Sequence, residues 1–197
     1  MNSDNSSKKS FKKEVLELLR FTVIVLAIVI PIRVFIAQPF IVNGESMVPT
    51  FENGDYLIID ELTYRRHMPV RGEVVVFRFP TNHKRFLIKR VIGLPGETVS
   101  INGNKVTISK VNGEVVQLDE PYVNGNFSSY GTWELGDKEY FVMGDNRQKS
   151  SDSRSWGVLH EDLIVGKTFM RMFPLNDINY QPGEYETEMI EINLDTQ

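Results

Sequence analysis

Hydrophobic and polar positions follow two rhythms along this chain. Residues 1–13 are polar and carry Lys8, Lys9, Lys12 and Lys13. An apolar run follows, purest from Phe21 to Ile30 and extendable from Leu18 to Ala37. Its roughly 20 residues form ~30 Å of helix, the thickness of a bilayer's hydrocarbon layer. Pro31 and Arg33 interrupt it near one end. A membrane helix tolerates the proline, and an arginine there reaches the headgroups. From residue 40 onward the rhythm shortens to β-branched and aromatic runs, Tyr56–Ile59, Glu73–Phe79 and Phe86–Ile92, which predict strands. Val99–Ile101 and Lys105–Ile108 alternate around Asn102-Gly103-Asn104, a hairpin signal, and Asn112-Gly113 leads into Val115–Leu118. Further strands are expected at Glu139–Met143 and Leu163–Phe173. No long amphipathic helix follows the apolar run. The pattern therefore predicts a mainly β, antiparallel-sheet domain preceded by one N-terminal transmembrane helix, and disfavours a helical bundle or a Rossmann fold.

Charge orients this arrangement. Lys and Arg crowd the start of the chain, whereas none occurs between Arg33 and Arg65. The positive-inside rule then places the N-terminus in the cytoplasm and the β domain outside. A cleavable secretory signal would share the basic start and the apolar run, but Arg33 stands where a small-residue cleavage motif should begin. The expected organisation is a basic cytoplasmic segment (1–17), an anchor (18–37), an extracytoplasmic β-rich domain (38–173) and an acidic tail (174–197). That tail carries Asp177, Glu184, Glu186, Glu188, Glu191 and Asp195 without Lys or Arg, and reads as a solvated terminus with one edge strand near Tyr185–Ile192. The formal charge of −4 argues against nucleic acid as a partner. The absence of cysteine removes disulfides, thiol nucleophiles and cysteine-bound zinc. His67, His83 and His160 are too scattered for a local metal pair, so neither metal nor cofactor is expected.

Three segments set polar side chains among apolar ones. In Asn43-Gly44-Glu45-Ser46-Met47-Val48-Pro49-Thr50 the serine lies within about 30 Å of the bilayer, at ~3.3 Å per residue of extended chain. On spacing alone Ser46 is a turn residue or a nucleophile, and the missing G-x-S-x-G elbow disfavours an α/β-hydrolase. Lys89-Arg90 interrupts an apolar strand, and alternation turns one of the two cations toward the packed side. A cation on an edge strand blunts aggregation. A buried, deprotonated lysine instead serves as a general base. Lowering its pKa from about 10.4 to about 7 or 8 takes roughly 3–5 kcal/mol of desolvation or like-charge repulsion, which apolar walls and the adjacent arginine would supply. Gly144-Asp145-Asn146-Arg147-Gln148-Lys149-Ser150-Ser151-Asp152-Ser153-Arg154 is dense in calcium-type donors, but its three cations argue against a metal loop. It is a polar turn or a hydrogen-bonded brace for a catalytic group.

Taken with the anchor and Gly54-Asp55-Tyr56-Leu57-Ile58-Ile59, these segments resemble the bacterial type I signal peptidase family over most of the chain. The family order is anchor, serine box, G-D strand box, lysine box and G-D-N-R…S-x-D-S-R box, with one short anchor as in Gram-positive members. The resemblance implies that Ser46 is the nucleophile and that Lys89, neutral through burial, takes its proton and later returns it to the leaving amine. It implies that Ser150 orients the lysine, that Asp145, Asp152 and Arg154 form an ion-paired brace, and that the Ser46 N–H donates to the oxyanion. It further implies an extended substrate pairing with strands near Val42 and Ile88. Phe40, Val42, Met47, Phe51, Leu57, Val76 and Ile88 match substrate-binding positions, which in the family line shallow pockets for small residues at the first and third positions before the cut. Plain core packing is the alternative for each. Gly44 stands where some members carry a serine as second oxyanion donor, so that donor must come from backbone or water. Gln148 and Lys149 replace the Asp or Asn of other members.

The implied function is removal of signal peptides from exported preproteins, with those preproteins and membrane lipid as partners. The competing readings are a Ser-Lys protease that processes pilus or conjugation proteins, a Ser-His protease using His67, His83 or His160, and a non-catalytic, membrane-tethered β binding domain.

Overall fold

The computed structural model describes residues 4–35, 37–123, 125–185 and 189–191, with side chains described over 13–30, 38–123 and 125–185. The chain forms two compact units, Met1–Gln38 and Pro39–Gln197. The first is helix α1, Asp4–Phe35. Its apolar side chains face outward; Leu18, Phe21 and Ile28 are each more than half exposed. The Thr22 hydroxyl folds back onto the Leu18 carbonyl at 2.9 Å, which removes a free polar group from that surface. Among the described residues no helix is long and apolar enough to cross a membrane. The described side chains of α1 include Lys13, Glu14, Glu17 and Arg20, and the far end of the expected anchor, 31–37, lies outside them.

The second unit is built of antiparallel strands in two sheets. The first sheet orders β1 (Ala37–Ile41), β2 (Tyr56–Asp60), β11 (Ile164–Phe173), β3 (Val74–Phe79), β4 (Asn82–Gly93), β9 (Glu139–Met143) and β10 (Leu159–His160), with β12 (Asn179–Tyr180) pairing β11. The second orders β13 (Met189–Glu191), β7 (Val115–Leu118), β6 (Lys105–Ser109), β5 (Thr98–Gly103) and β8 (Ser129–Glu134).

β3 explains how the first sheet is held. Its Val74-Val75-Val76-Phe77 run is buried on both faces because the strand is central. Val74 and Val76 join Val42, Met47, Phe51, Leu57 and Ile59 in one cluster. Val75 and Phe77 join Val91, Tyr140, Val142 and Leu159 in another. The second sheet buries one face only. Val99, Ile101, Val106, Ile108 and Val116 pack against Ile92, Phe141 and Met143 from the first sheet. The predicted hairpin forms with Asn102 opposite Lys105, so Gly103 and Asn104 make its two-residue turn, and Gly103 takes φ +66°.

Two elements differ from expectation. β8 alternates half-buried and exposed positions and carries little aliphatic content, so its sequence Ser-Tyr-Gly-Thr-Trp-Glu gives no strand signal until it pairs with β5. The C-terminal segment is exposed over 175–180, as a solvated terminus requires, and departs from that expectation at 181–183. Pro182 is buried, and the strand expected near Tyr185–Ile192 appears as β13 on the edge of the second sheet, Met189 opposite Leu118.

Candidate active site

The turn that carries Ser46 is closed at its base by backbone hydrogen bonds. Val42 N–H donates to the Asp55 carbonyl and Gly54 N–H to the Val42 carbonyl, both at 2.9 Å. Met47 and Phe51, fully buried, plug the turn into the core beneath, and Phe51 N–H donates to the Met47 carbonyl at 2.9 Å. The third polar segment docks against the same turn, with Asn146 N–H donating to the Ser46 carbonyl at 3.0 Å. That approach requires Gly144. A Cβ there would lie 2.4 Å from the Ser46 carbonyl oxygen and 2.3 Å from Ser150 Oγ. Ser46 is left half-buried, with its hydroxyl turned to β4.

Lys89 and Arg90 lie opposite Val75 and Val74 in the β3–β4 ladder, so they point to opposite faces. The expectation that one of them faces the packed side needs correcting: both are buried, at 2% and 0% exposure. The first sheet is covered on both faces, so neither direction leads to solvent. Lys89 Nζ lies 2.7 Å from Ser46 Oγ and donates to the Ile88 carbonyl at 2.7 Å. Burial pushes its pKa from the ordinary lysine value down to about 8; Asp152 and Asp145 pull it back up, and Arg85 presses it further down. The cation contributing to the depression is therefore Arg85, not the adjacent Arg90, whose charge is matched by its own carboxylate.

Ser150 does not orient the lysine in this arrangement. Its hydroxyl is buried without a hydrogen-bond partner, and a backbone carbonyl holds the amine instead. The brace expected from Asp145, Asp152 and Arg154 consists of two separate ion pairs. Arg90 grips Asp145 through Nε–Oδ1 at 2.8 Å and Nη2–Oδ2 at 2.6 Å, and Thr50 Oγ1 donates to the same carboxylate at 2.5 Å. Arg154 grips Asp152 through Nε and Nη2, both at 2.8 Å, while Asp152 Oδ2 accepts from Gly144 N–H at 3.0 Å and Oδ1 caps the one-turn helix α2, Ser153–Trp156. Bidentate geometry and satisfied lone pairs are what allow such charges to be buried. A third buried pair, Arg147 with Glu120, ties the polar segment to the chain between β7 and β8.

An apolar groove of about 90 Å³ opens beside the serine, lined by Phe40, Val42, Leu57, Val76 and Ile88, with Ser46 and Lys89 also on its wall. A cavity of ~150 Å³ admits a benzene ring, so this one has room for a small side chain. Met47 and Phe51 belong to the core below it and are not among its lining residues, which corrects their assignment as substrate contacts. Phe86 and Leu87 take their place. Phe86 packs edge-on against Phe40 with centroids 5.3 Å apart. Its place two residues before Ile88, on the same strand face, was the available signal. Gly44 N–H is engaged by Asn53 Oδ1 at 2.9 Å, and Lys149 reaches across the surface to Glu45 at 2.5 Å, flanking Ser46. His67, His83 and His160 are all exposed, and His160 sits 3.3 Å from Asp162. Among the described residues the basic side chain hydrogen-bonded to Ser46 is Lys89.

Known proteins share this chain's sequence across nearly its whole length. The family described as "Signal peptidase, peptidase S26" matches residues 15–173. A probable signal peptidase I-2 of Synechocystis is 37% identical over 186 residues, covering 90% of this chain and 82% of the relative. A signal peptidase IB of Staphylococcus aureus is 34% identical over 188 residues, covering 86% and 95%. The crystal structure of a signal peptidase I from Enterococcus faecalis aligns at 32% identity with a TM-score of 0.44, over 51% of this chain and 97% of that one.

Proposed function

The chain belongs to the peptidase S26 family of signal peptidases, and on that premise we propose that it removes N-terminal signal peptides from exported preproteins, with Ser46 as nucleophile and Lys89 as general base. The observation that carries this reading is the 2.7 Å contact between a buried lysine amine and a half-buried serine hydroxyl at the wall of an apolar groove. The neutral amine accepts the Ser46 proton as Oγ attacks the scissile carbonyl carbon. The resulting oxyanion takes the Ser46 N–H, with a second donor from water or another backbone group, since Gly44 N–H is engaged by Asn53. As the carbon–nitrogen bond breaks, the ammonium returns its proton to the leaving amine. Water then attacks the acyl ester, giving one proton to Lys89 and regenerating the serine. The groove accepts alanine-sized side chains before the cut and excludes larger ones by overlap, although the affinity gained per methyl is only ~1 kcal/mol.

Membrane tethering of both partners would offset that weak binding by raising local concentration. The outward apolar side chains of α1 between Leu18 and Ile30, and the lysines preceding them, support a single-pass anchor with the β domain outside the cytoplasmic membrane. Alkaline carbonate extraction should leave the full chain in the membrane pellet; its release into the supernatant would reject the anchor.

An acylating penem should label the wild-type protein at Ser46 and leave Ser46→Ala unlabelled. Cleavage of a preprotein should accelerate as pH rises, pass half its maximum near pH 8 and level off above that, because the protonated amine cannot act as a base. EDTA should have no effect, and a bulky residue in place of alanine before the cut should stop cleavage. Labelling at another residue, or a rate that falls through the same pH range, would overturn the dyad.

A further inference from the structure

The region matched by the family ends at residue 173, yet the chain beyond it returns to the centre of the site. Gln181 N–H donates to the Phe169 carbonyl at 2.8 Å, and Thr168 Oγ1 donates to the carbonyl of buried Pro182 at 3.2 Å. These bonds lay the next residue directly on the brace. Arg90 Nη1 donates both to the Gly72 carbonyl, at 2.6 Å, and to the Gly183 carbonyl, at 2.5 Å. The ring of Tyr185 lies 5.3 Å from the Arg90 guanidinium carbon, beside Tyr122 at 4.0 Å. Gly183 also touches the serine turn. With φ at +80°, a Cβ there would stand 2.7 Å from Thr50 Cγ2 and 3.1 Å from Phe51 Cε2.

We propose that Gln181–Tyr185 is a positioning element of the catalytic centre, a strap that clamps Arg90 and Thr50 and so fixes both the strand carrying Lys89 and the turn carrying Ser46. The path is continuous. Gly183 holds Arg90, Arg90 and Thr50 hold Asp145, and the neighbouring Asn146 N–H holds the Ser46 carbonyl. Arg90 adjoins Lys89 on β4, so its guanidinium, bonded at every nitrogen, fixes the backbone from which the lysine extends. Asp145 and the Gly72 carbonyl do not complete the set of acceptors around this group, because Nη1 takes the second of its two acceptors from the strap itself. The role in catalysis rests on the proposed Ser46–Lys89 mechanism.

The test uses the full-length protein with Gly183→Ala, Tyr185→Ala and Tyr185→Phe. Gly183→Ala strains the left-handed backbone and drives a methyl into Thr50, and should lower kcat roughly tenfold through misplacement of the reacting groups while KM stays nearly constant. Tyr185→Ala should lower kcat about threefold, as loss of one ring face from a cation implies. Tyr185→Phe keeps the ring and should restore the wild-type value. In parallel, the titration of the Lys89 Cε resonance by 13C NMR should move upward in both weakened variants, since a loosened pocket admits water to the amine. Wild-type kcat together with an unmoved Lys89 titration in folded Gly183→Ala would overturn the strap. Should that variant fail to fold, Tyr185→Ala decides on the same readouts, and an effect confined to stability or to KM counts against the proposal. If Ser46→Ala retained cleavage, the dyad would fall, while the Lys89 titration would still judge the strap.

Discussion

Replacing Lys89 by methionine should abolish cleavage and, at pH 7, raise the melting temperature. The folded protein holds the amine where its pKa is about 8, against 10.5 for an ordinary lysine. That difference of 2.5 corresponds to about 3 kcal/mol of destabilisation at neutral pH. The sign follows from proton binding. Between pH 8 and 10.5 the unfolded chain binds the proton more strongly than the folded one, so wild-type stability rises with pH across that window and the full penalty applies below it. Methionine fills a similar volume without a charge to desolvate. It leaves Ser46 Oγ and the Ile88 carbonyl without their partner, which returns part of the gain, so the net shift should be about 5 °C for a domain of this size. The variant's advantage should shrink above pH 8 and vanish near pH 10.5. Loss of the general base should lower kcat by about a thousandfold or more. Calorimetry across pH with a preprotein cleavage assay checks both halves. A variant less stable at pH 7 would mean that the buried amine costs no stability, and one that still cleaves would mean that it is not the general base.

Asp145→Ala should come close to unfolding the domain. It strands a guanidinium that is 0% exposed and removes the acceptor for Thr50 Oγ1. Breaking one side of a buried ion pair costs about 3–5 kcal/mol, a large share of a total stability of roughly 5–15 kcal/mol. The pair itself is not worth that much. Arg90→Met combined with Asp145→Leu, which removes both charges, should recover most of the stability while leaving the enzyme slow. Urea denaturation of Arg90→Met, of Asp145→Leu and of the double variant measures the coupling directly. A cost below about 1 kcal/mol for Asp145→Ala would show that water reaches Arg90 and that the site is wetter than its burial implies.

The distribution of these effects follows what the sequence could and could not express. Strands β3, β4 and β9 were legible because β-branched and aromatic runs leave no other economical structure. The spacing of polar residues within apolar runs drew attention to Ser46, Lys89 and the 144–154 segment. Partnerships were not legible. Asp145 stands 55 residues from Arg90, and only the pairing of β4 with β9 brings them together. Phe86 and Leu87 were read as strand residues and line the groove because of where β1 and β2 happen to pass. Met47 and Phe51, matched to substrate-binding positions through the family resemblance, instead follow the alternative of core packing, since both are fully buried beneath the turn. The acidic tail is exposed over 175–180 and supplies an edge strand at Met189–Glu191. Leu175, Ile178 and Tyr180 stay exposed, while Pro182 and Gly183 make the close contacts, which composition does not reveal.

Two unlike cations in consecutive positions of one strand make β4 intolerant of miscounting. Inserting a single residue between its hairpin and Lys89 would move Lys89 into the position of Arg90 and push Arg90 one residue further along the strand. Ile88 would then face the hydroxyl in place of the amine, and an alkyl side chain has no proton to exchange. The ammonium would in turn occupy a carboxylate cage shaped for a planar fork. Such a chain would lose both the amine beside Ser46 and the bidentate grip of Arg90 on Asp145, so a single-codon insertion in this stretch should cost stability and preprotein cleavage together.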